Sequence, residues 1–159
     1  MKKTNAARLL DRLKIKYRLL EYVYDHDDLS ALGAAQKLNV PADQIFKTLV
    51  ARGDKTGIIT ASIPGDHELD LKALAKLSKN KKVELIALKE LQPLTGYLRG
   101  AVSPLGMNNT YPYYLDKEAN KYHEIIVSAG LRGLQIALAP ADLVRATSAV
   151  TGKITRINS

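Results

Sequence analysis

The chain has 159 residues, 46% apolar and 25% charged, which suits one domain with a sizeable core and excludes a disordered or fibrous chain. Its 24 Lys plus Arg against 16 Asp plus Glu give a formal charge of +8, which favours polyanionic partners without naming one. The absence of cysteine excludes disulfides, thiolate metal sites and a cysteine nucleophile, so any thiol chemistry must arrive with a ligand. Arg8, Asp11, Arg12 and Lys14 interrupt the apolar region that a signal peptide requires. No apolar run approaches the ~18 residues of a membrane span. These features predict a cytoplasmic protein with a single domain over residues 1–159.

Thr4 can cap a first helix in which Leu9, Leu10 and Leu13 recur at helical spacing, with Arg8, Arg12 and Lys14 toward solvent. Residues 17–24 read as a strand with Leu20, Tyr22 and Tyr24 on one face. Ser30 precedes a short helix over Ala31–Leu38, ended before Val40-Pro41 because the residue before proline disfavours helical geometry. Two apolar runs, Lys47 to Ala51 and Ile58 to Ile63, flank Arg52-Gly53-Asp54-Lys55-Thr56-Gly57 and predict an antiparallel hairpin. Asp70 can cap a helix with Leu71, Leu74, Ala75 and Leu77 on one side and Lys72, Lys76 and Lys79 on another, the lysines continuing to Lys81 and Lys82.

Val83–Ile86 reads as a short strand and Leu88–Leu91 as a helical turn ended near Pro93. Residues 95–106 combine three glycines and a proline with no acid, chemistry suited to tight turns beside a site. Strands are expected at 110–115, 124–128 and 134–138, followed by a helix from Pro140 and a terminal strand around Ile154. The fold class is α+β: a mixed, mostly antiparallel, barrel-like sheet flanked by helices. Several strand pairs are joined too tightly for the crossovers of a parallel fold.

Lys47 interrupts the run Ile45-Phe46-Lys47-Thr48-Leu49-Val50 and points the same way as Ile45 and Leu49. Two readings are open: an edge-strand lysine reaching water along its stem, or a pocket lysine awaiting an anionic or carbonyl ligand. A metal centre is disfavoured, because His26, His67 and His123 are far apart and Asp66-His67-Glu68 suits a solvated turn better than a coordination set. A phosphate-binding loop fails because Phe46 precedes Lys47-Thr48 where glycine is needed. Neither Ser103 nor Ser128 has a nucleophile-elbow context, which leaves them as structural or ligand-contact hydroxyls. Gly130 and Gly133 around Arg132 read either as an anion-binding turn or as a tight strand connection. This set can bind and polarise, but it contains no evident nucleophile or general base.

Asp43-Gln44-Ile45-Phe46-Lys47-Thr48-Leu49, Leu69-Asp70-Leu71-Lys72, the stretch Thr95–Gly106 and Val127–Leu134 together resemble the YbaK/EbsC family of aminoacyl-tRNA deacylases, over nearly the whole chain. The resemblance implies a mixed barrel-like sheet with flanking helices, and clearance of mischarged tRNA without metal or cofactor. It implies a central catalytic role for Lys47, a substrate loop at Gly100 and a pocket association for Tyr24. Thr48, Ser103, Ser128, Gly130 and Arg132 complete the candidate substrate-binding set.

For the cysteine-specific branch the resemblance implies cleavage of Cys-tRNA(Pro), and of Cys-tRNA(Cys), in which the cysteinyl thiol attacks its own ester. A lyase or a hydrolase label fits that step. The alternatives are an Ala-tRNA(Pro) deacylase using a positioned water and a non-catalytic tRNA- or synthetase-binding module. Aminoacylated tRNA is the expected partner and prolyl-tRNA synthetase a further candidate. Gln135 departs from the aspartate of a closely related pattern, and the segment from His26 to Gly33 is shorter than in the cysteine-specific pattern.

Overall fold

The structure, a computed structural model, describes residues 3–107 and 109–157. In chain order the elements are α1 (Asn5–Arg12), β1 (Arg18–Glu21), α2 (Ala31–Leu38), β2 (Phe46–Gly53), β3 (Gly57–Pro64), β4 (His67–Leu69), α3 (Leu71–Ser78) and β5 (Val83–Leu85). They continue with α4 (Leu91–Thr95), β6 (Tyr113–Asp116), β7 (Ile125–Leu131), β8 (Leu134–Leu138), α5 (Pro140–Thr147), β9 (Val150–Gly152) and β10 (Thr155–Ile157). Thr4, Ser30 and Asp70 cap α1, α2 and α3, each accepting the backbone N–H three residues on.

The larger sheet has the order β5-β2-β3-β6-β9, and a second sheet the order β1-β8-β7. The β2–β3 hairpin pairs Phe46 with Pro64 through to Gly53 with Gly57. β6 runs parallel to β3 and β9, while the remaining ladders, including the separate β4–β10 pair, are antiparallel. The fold is therefore the mixed, mostly antiparallel α+β arrangement that the tight connections predict. A parallel bridge between Ile45 and Ile126 links the two sheets, supported by the Ile126 N–H donating to the Gln44 carbonyl at 3.1 Å.

β2 separates two apolar clusters, as alternation requires. Phe46 packs with Leu105, Tyr113, Leu115 and Val127. Leu49 and Ala51, on the other face, join Ile59, Ala61, Ile63 and Leu74, the last from α3. A third cluster holds α2 against Ile45, Ile126 and Ala137. Lys47 thus stands between Ile45 of the third cluster and Leu49 of the second.

Several boundaries differ from expectation for identifiable reasons. β1 ends at Glu21 rather than Tyr24, because Asp25 accepts the Asp27 N–H and turns the acidic segment away from the sheet. Pro93 lies inside the first turn of α4, where its missing N–H has no intrahelical acceptor to lose. The terminal strand is two short strands, with the fully buried Ile154 between them. Buried Asp116 holds that junction, accepting from the Ile154 N–H at 2.9 Å and the Thr155 hydroxyl at 3.1 Å.

Candidate active site

Lys47 enters β2 at the bridged junction of the two sheets. β5 pairs only with Ala51–Gly53, so the Lys47 end of that flank is left to the Ile45–Ile126 bridge. The side chain is half-buried and its ammonium donates to the Gly65 carbonyl at 3.2 Å. Gly65 is itself pinned, its N–H approaching the Ile45 and Ala42 carbonyls at 2.7 and 3.2 Å. A Cβ at Gly65 would sit 3.0 Å from the Ala31 Cβ, so glycine here lets α2 approach the sheet. Burial lowers the Lys47 pKa below its ordinary 10.5, against smaller opposing contributions from Asp66 and Glu68.

The cavity beside this lysine has a volume of about 280 Å³. One wall is the start of α2 with the preceding Leu29, and another is Ile45 with the first residues of β2, Phe46 to Leu49. Gly100 and Val102 form a third side, with Tyr22, Ser128 and Gln135 completing it. Among the described residues Lys47 is the only charged one in this lining, which contains no carboxylate and no histidine. The opening of α2 adds its positive dipole end from the same side.

The hydroxyls of the lining serve structural bonds. Thr48 pairs with the buried Ser62 at 2.7 Å, and Ser30 accepts the Gly33 N–H at 3.0 Å as the helix cap. Ser128 accepts the Gly130 N–H at 3.1 Å, and the Tyr22 hydroxyl lies 3.4 Å from the Gln135 amide nitrogen. Ser30 also donates to the Asp28 carboxylate at 2.5 Å, but that bond and the one from the Ser30 N–H hold the carboxyl below its usual range, which makes it a weak base, and the Ser30 oxygen is committed to the helix cap. The site can therefore polarise a carbonyl or hold an anion, but among the described residues it offers no activated side chain to attack one.

Of the residues singled out from sequence, Lys47, Thr48, Gly100 and Ser128 come together in this cavity. Tyr24, Ser103, Gly130 and Arg132 are not in its lining. Tyr24 lies in a neighbouring groove with Arg132, its ring edge-on to His26. Ser103 is fully buried and accepts the Leu105 N–H at 3.2 Å, leaving Val102 to face the cavity.

Gly130, at φ +99, lies under Tyr97, whose hydroxyl donates to the Leu105 carbonyl at 2.6 Å. Arg132 donates to the Arg99 carbonyl at 2.9 Å and so tethers the loop that presents Gly100. Gly130 and Arg132 thus join a tight strand connection to that loop. Sequence reasoning missed Tyr22, Gly65, Leu29 and Val102. Strand alternation already placed Tyr22 beside Leu20, but nothing local distinguished it from Tyr24.

The aminoacyl-tRNA editing domain family model matches residues 29–146, which include every residue of the cavity lining except Tyr22. The chain belongs to this family. It is 50% identical over 153 residues to EbsC of Enterococcus faecalis, a protein named provisionally as a Cys-tRNA(Pro)/Cys-tRNA(Cys) deacylase, with 96% of this chain and 93% of that protein covered. It is 36% identical over 110 residues to a proline–tRNA ligase of Sulfurihydrogenibium, covering 69% of this chain and 19% of the ligase. A crystal structure described provisionally as a trans-editing enzyme for prolyl tRNA synthetase superposes with a TM-score of 0.80 at 26% identity, covering 98% of this chain and 99% of the other.

Proposed function

We propose that this protein is a trans-editing deacylase that clears cysteine from mischarged tRNA(Pro), and from tRNA(Cys) by the same chemistry. The observation that carries the reading is a small cavity in which, among the described residues, Lys47 is the only charged one, no histidine is present, and the one hydroxyl on a carboxylate, Ser30 on Asp28, is committed to capping α2. Such a site suits a substrate that brings its own nucleophile. The cysteinyl sulfur attacks its own ester carbonyl, a C–S bond forms, the C–O bond to the ribose breaks, and the thiol proton ends on the ribose oxygen. The products are cysteine thiolactone and tRNA with a free terminal hydroxyl.

Lys47, held by the Gly65 carbonyl, donates to the ester oxygen as negative charge develops there. Gly100 lets the loop backbone approach the aminoacyl group at a positive φ of +83. The name and 50% identity of the Enterococcus relative support the substrate, and kinship with part of a proline–tRNA ligase supports work beside prolyl-tRNA synthetase in the cytoplasm. Among the described residues no helix is long and apolar enough to cross a membrane.

Purified protein presented with cysteinyl-, alanyl- and seryl-tRNA(Pro) tests the proposal. Cysteine release is expected to be fastest. Faster alanine release would replace it with the water-dependent deacylase, and tRNA binding without any release would leave a binding module.

A further inference from the structure

α3 begins six residues beyond Gly65 and packs Leu74 and Ala75 onto the sheet face that carries Leu49 and Ala51, the face toward which Lys47 points. Its outer side exposes Lys72 and Lys76 one turn apart, and Lys79 follows at the C-cap. The next segment is bound to the tip of the β2–β3 hairpin. The Asn80 amide oxygen accepts the Lys55 and Thr56 N–H groups at 2.9 and 3.0 Å, and the Asp54 carboxylate accepts those of Lys81 and Lys82 at 2.9 and 3.1 Å. Lys55, Lys79, Lys81 and Lys82 therefore project from backbone segments fixed to one another.

The carboxylates around this surface are already engaged. Asp54 holds backbone N–H groups and Asp70 caps α3, while Glu84 pairs with Lys82, Glu68 with Arg156 and Asp66 with His67. Among the described residues Lys55, Lys72, Lys76, Lys79 and Lys81 make no ion pair. On the α1 side Lys3 pairs with Asp11 and Arg18 with Glu124, while the exposed Arg8, Arg12 and Lys16 make no ion pair among the described residues and so offer a cationic surface for comparison. From Lys47 to the hairpin end of β2 is six residues, about 20 Å at the rise of a strand.

We infer that the lysines displayed by α3 and the 79–82 segment form a rail for the phosphate backbone of the tRNA acceptor arm whose 3′ end occupies the Lys47 cavity. This rests on the proposed deacylase reading for the identity of the RNA. The rail supplies affinity and direction, and the cavity supplies the chemistry. Fixed cations separated by roughly one helical turn suit successive phosphates, and such contacts release counterions when they form.

The test replaces Lys72, Lys76 and Lys81 together by Gln, which has nearly the helix propensity of Lys and leaves the left-handed Lys79 in place. A control with the same loss of charge replaces Arg8, Arg12 and Lys16 by Gln. Binding of uncharged tRNA is measured across a salt series. For the rail variant the slope of log affinity against log salt should become shallower by about 0.9 for each duplex phosphate contact removed, with little change in the control.

Release of cysteine from whole Cys-tRNA should weaken through KM, while release from a short 3′ oligonucleotide ester stays at the wild-type rate. An unchanged slope, an equal fall in the control, or no tRNA affinity in the wild type overturns the rail. Because the binding series uses uncharged tRNA, it reads the rail even if no charged tRNA is deacylated, so the two proposals fail separately.

Discussion

Replacing Lys47 by Met keeps the length and apolar body of the side chain while removing its charge. In the resting protein the ammonium makes one hydrogen bond to Gly65 at 3.2 Å and is half-buried, with a pKa lowered chiefly by desolvation. Losing that bond costs on the order of 1 kcal/mol, and relief from burying a charge offsets part of it. Folding stability should therefore change by less than about 1 kcal/mol at neutral pH. Activity should respond far more, because loss of a charge-stabilising donor in a water-poor site costs about 3 kcal/mol, or 10²–10³ in kcat.

The stability difference also depends on pH in a calculable direction. Lys47 binds its proton less tightly when folded, so wild-type stability gains from this group as pH rises from the lowered folded pKa toward 10.5, and the Met variant lacks that increment. Single-turnover deacylation paired with urea unfolding at neutral and alkaline pH measures both quantities. Wild-type turnover in the variant, or a stability loss as large as the activity loss, would refute the assignment of Lys47 to charge stabilisation.

The pH–rate profile should fall on the alkaline side with a midpoint below 10.5 as Lys47 loses its proton, and Lys47→Arg should move that limb out of range at a reduced rate. Gly100→Ala forces a left-handed alanine and brings its Cβ to 2.8 Å from the Leu29 Cβ, so a higher KM and a stability loss of about 1–2 kcal/mol are expected from deacylation kinetics and thermal melts. Asp116→Ala strips the acceptor from the Ile154 and Glu118 N–H groups and the Thr155 hydroxyl, and should cost roughly 3 kcal/mol in urea unfolding. Since Asp116 is not in the cavity lining, the folded fraction of that variant should keep wild-type kcat.

Features written in local chemistry are legible in the amino-acid sequence. The capping residues Thr4, Ser30 and Asp70 each precede apolar residues at helical spacing and do cap helices. The glycine-containing turn between two apolar runs became the β2–β3 hairpin. Lys47 was conspicuous as a charge in an apolar strand, but its two readings could be separated only by the approach of α2 and Gly65, contacts remote in sequence. Tyr24 and Ser103 illustrate the limit. Strand alternation carried through an acidic turn extended β1 too far, and a loop has no period to show that Val102, not Ser103, faces the cavity. In the sequence Gln135 stands out only as a departure from the related pattern, whereas its pairing with Ser128 places both on one cavity wall.

The central claim is that the substrate supplies the nucleophile that this cavity lacks. Comparing cysteinyl-tRNA(Pro) with its S-methylcysteinyl counterpart under single-turnover conditions tests it most directly, because methylation blocks the sulfur while adding one small apolar group. The account predicts rapid release from the first, with cysteine thiolactone as the initial product, and release from the second no faster than the spontaneous reaction. Comparable enzymatic release from both would contradict it.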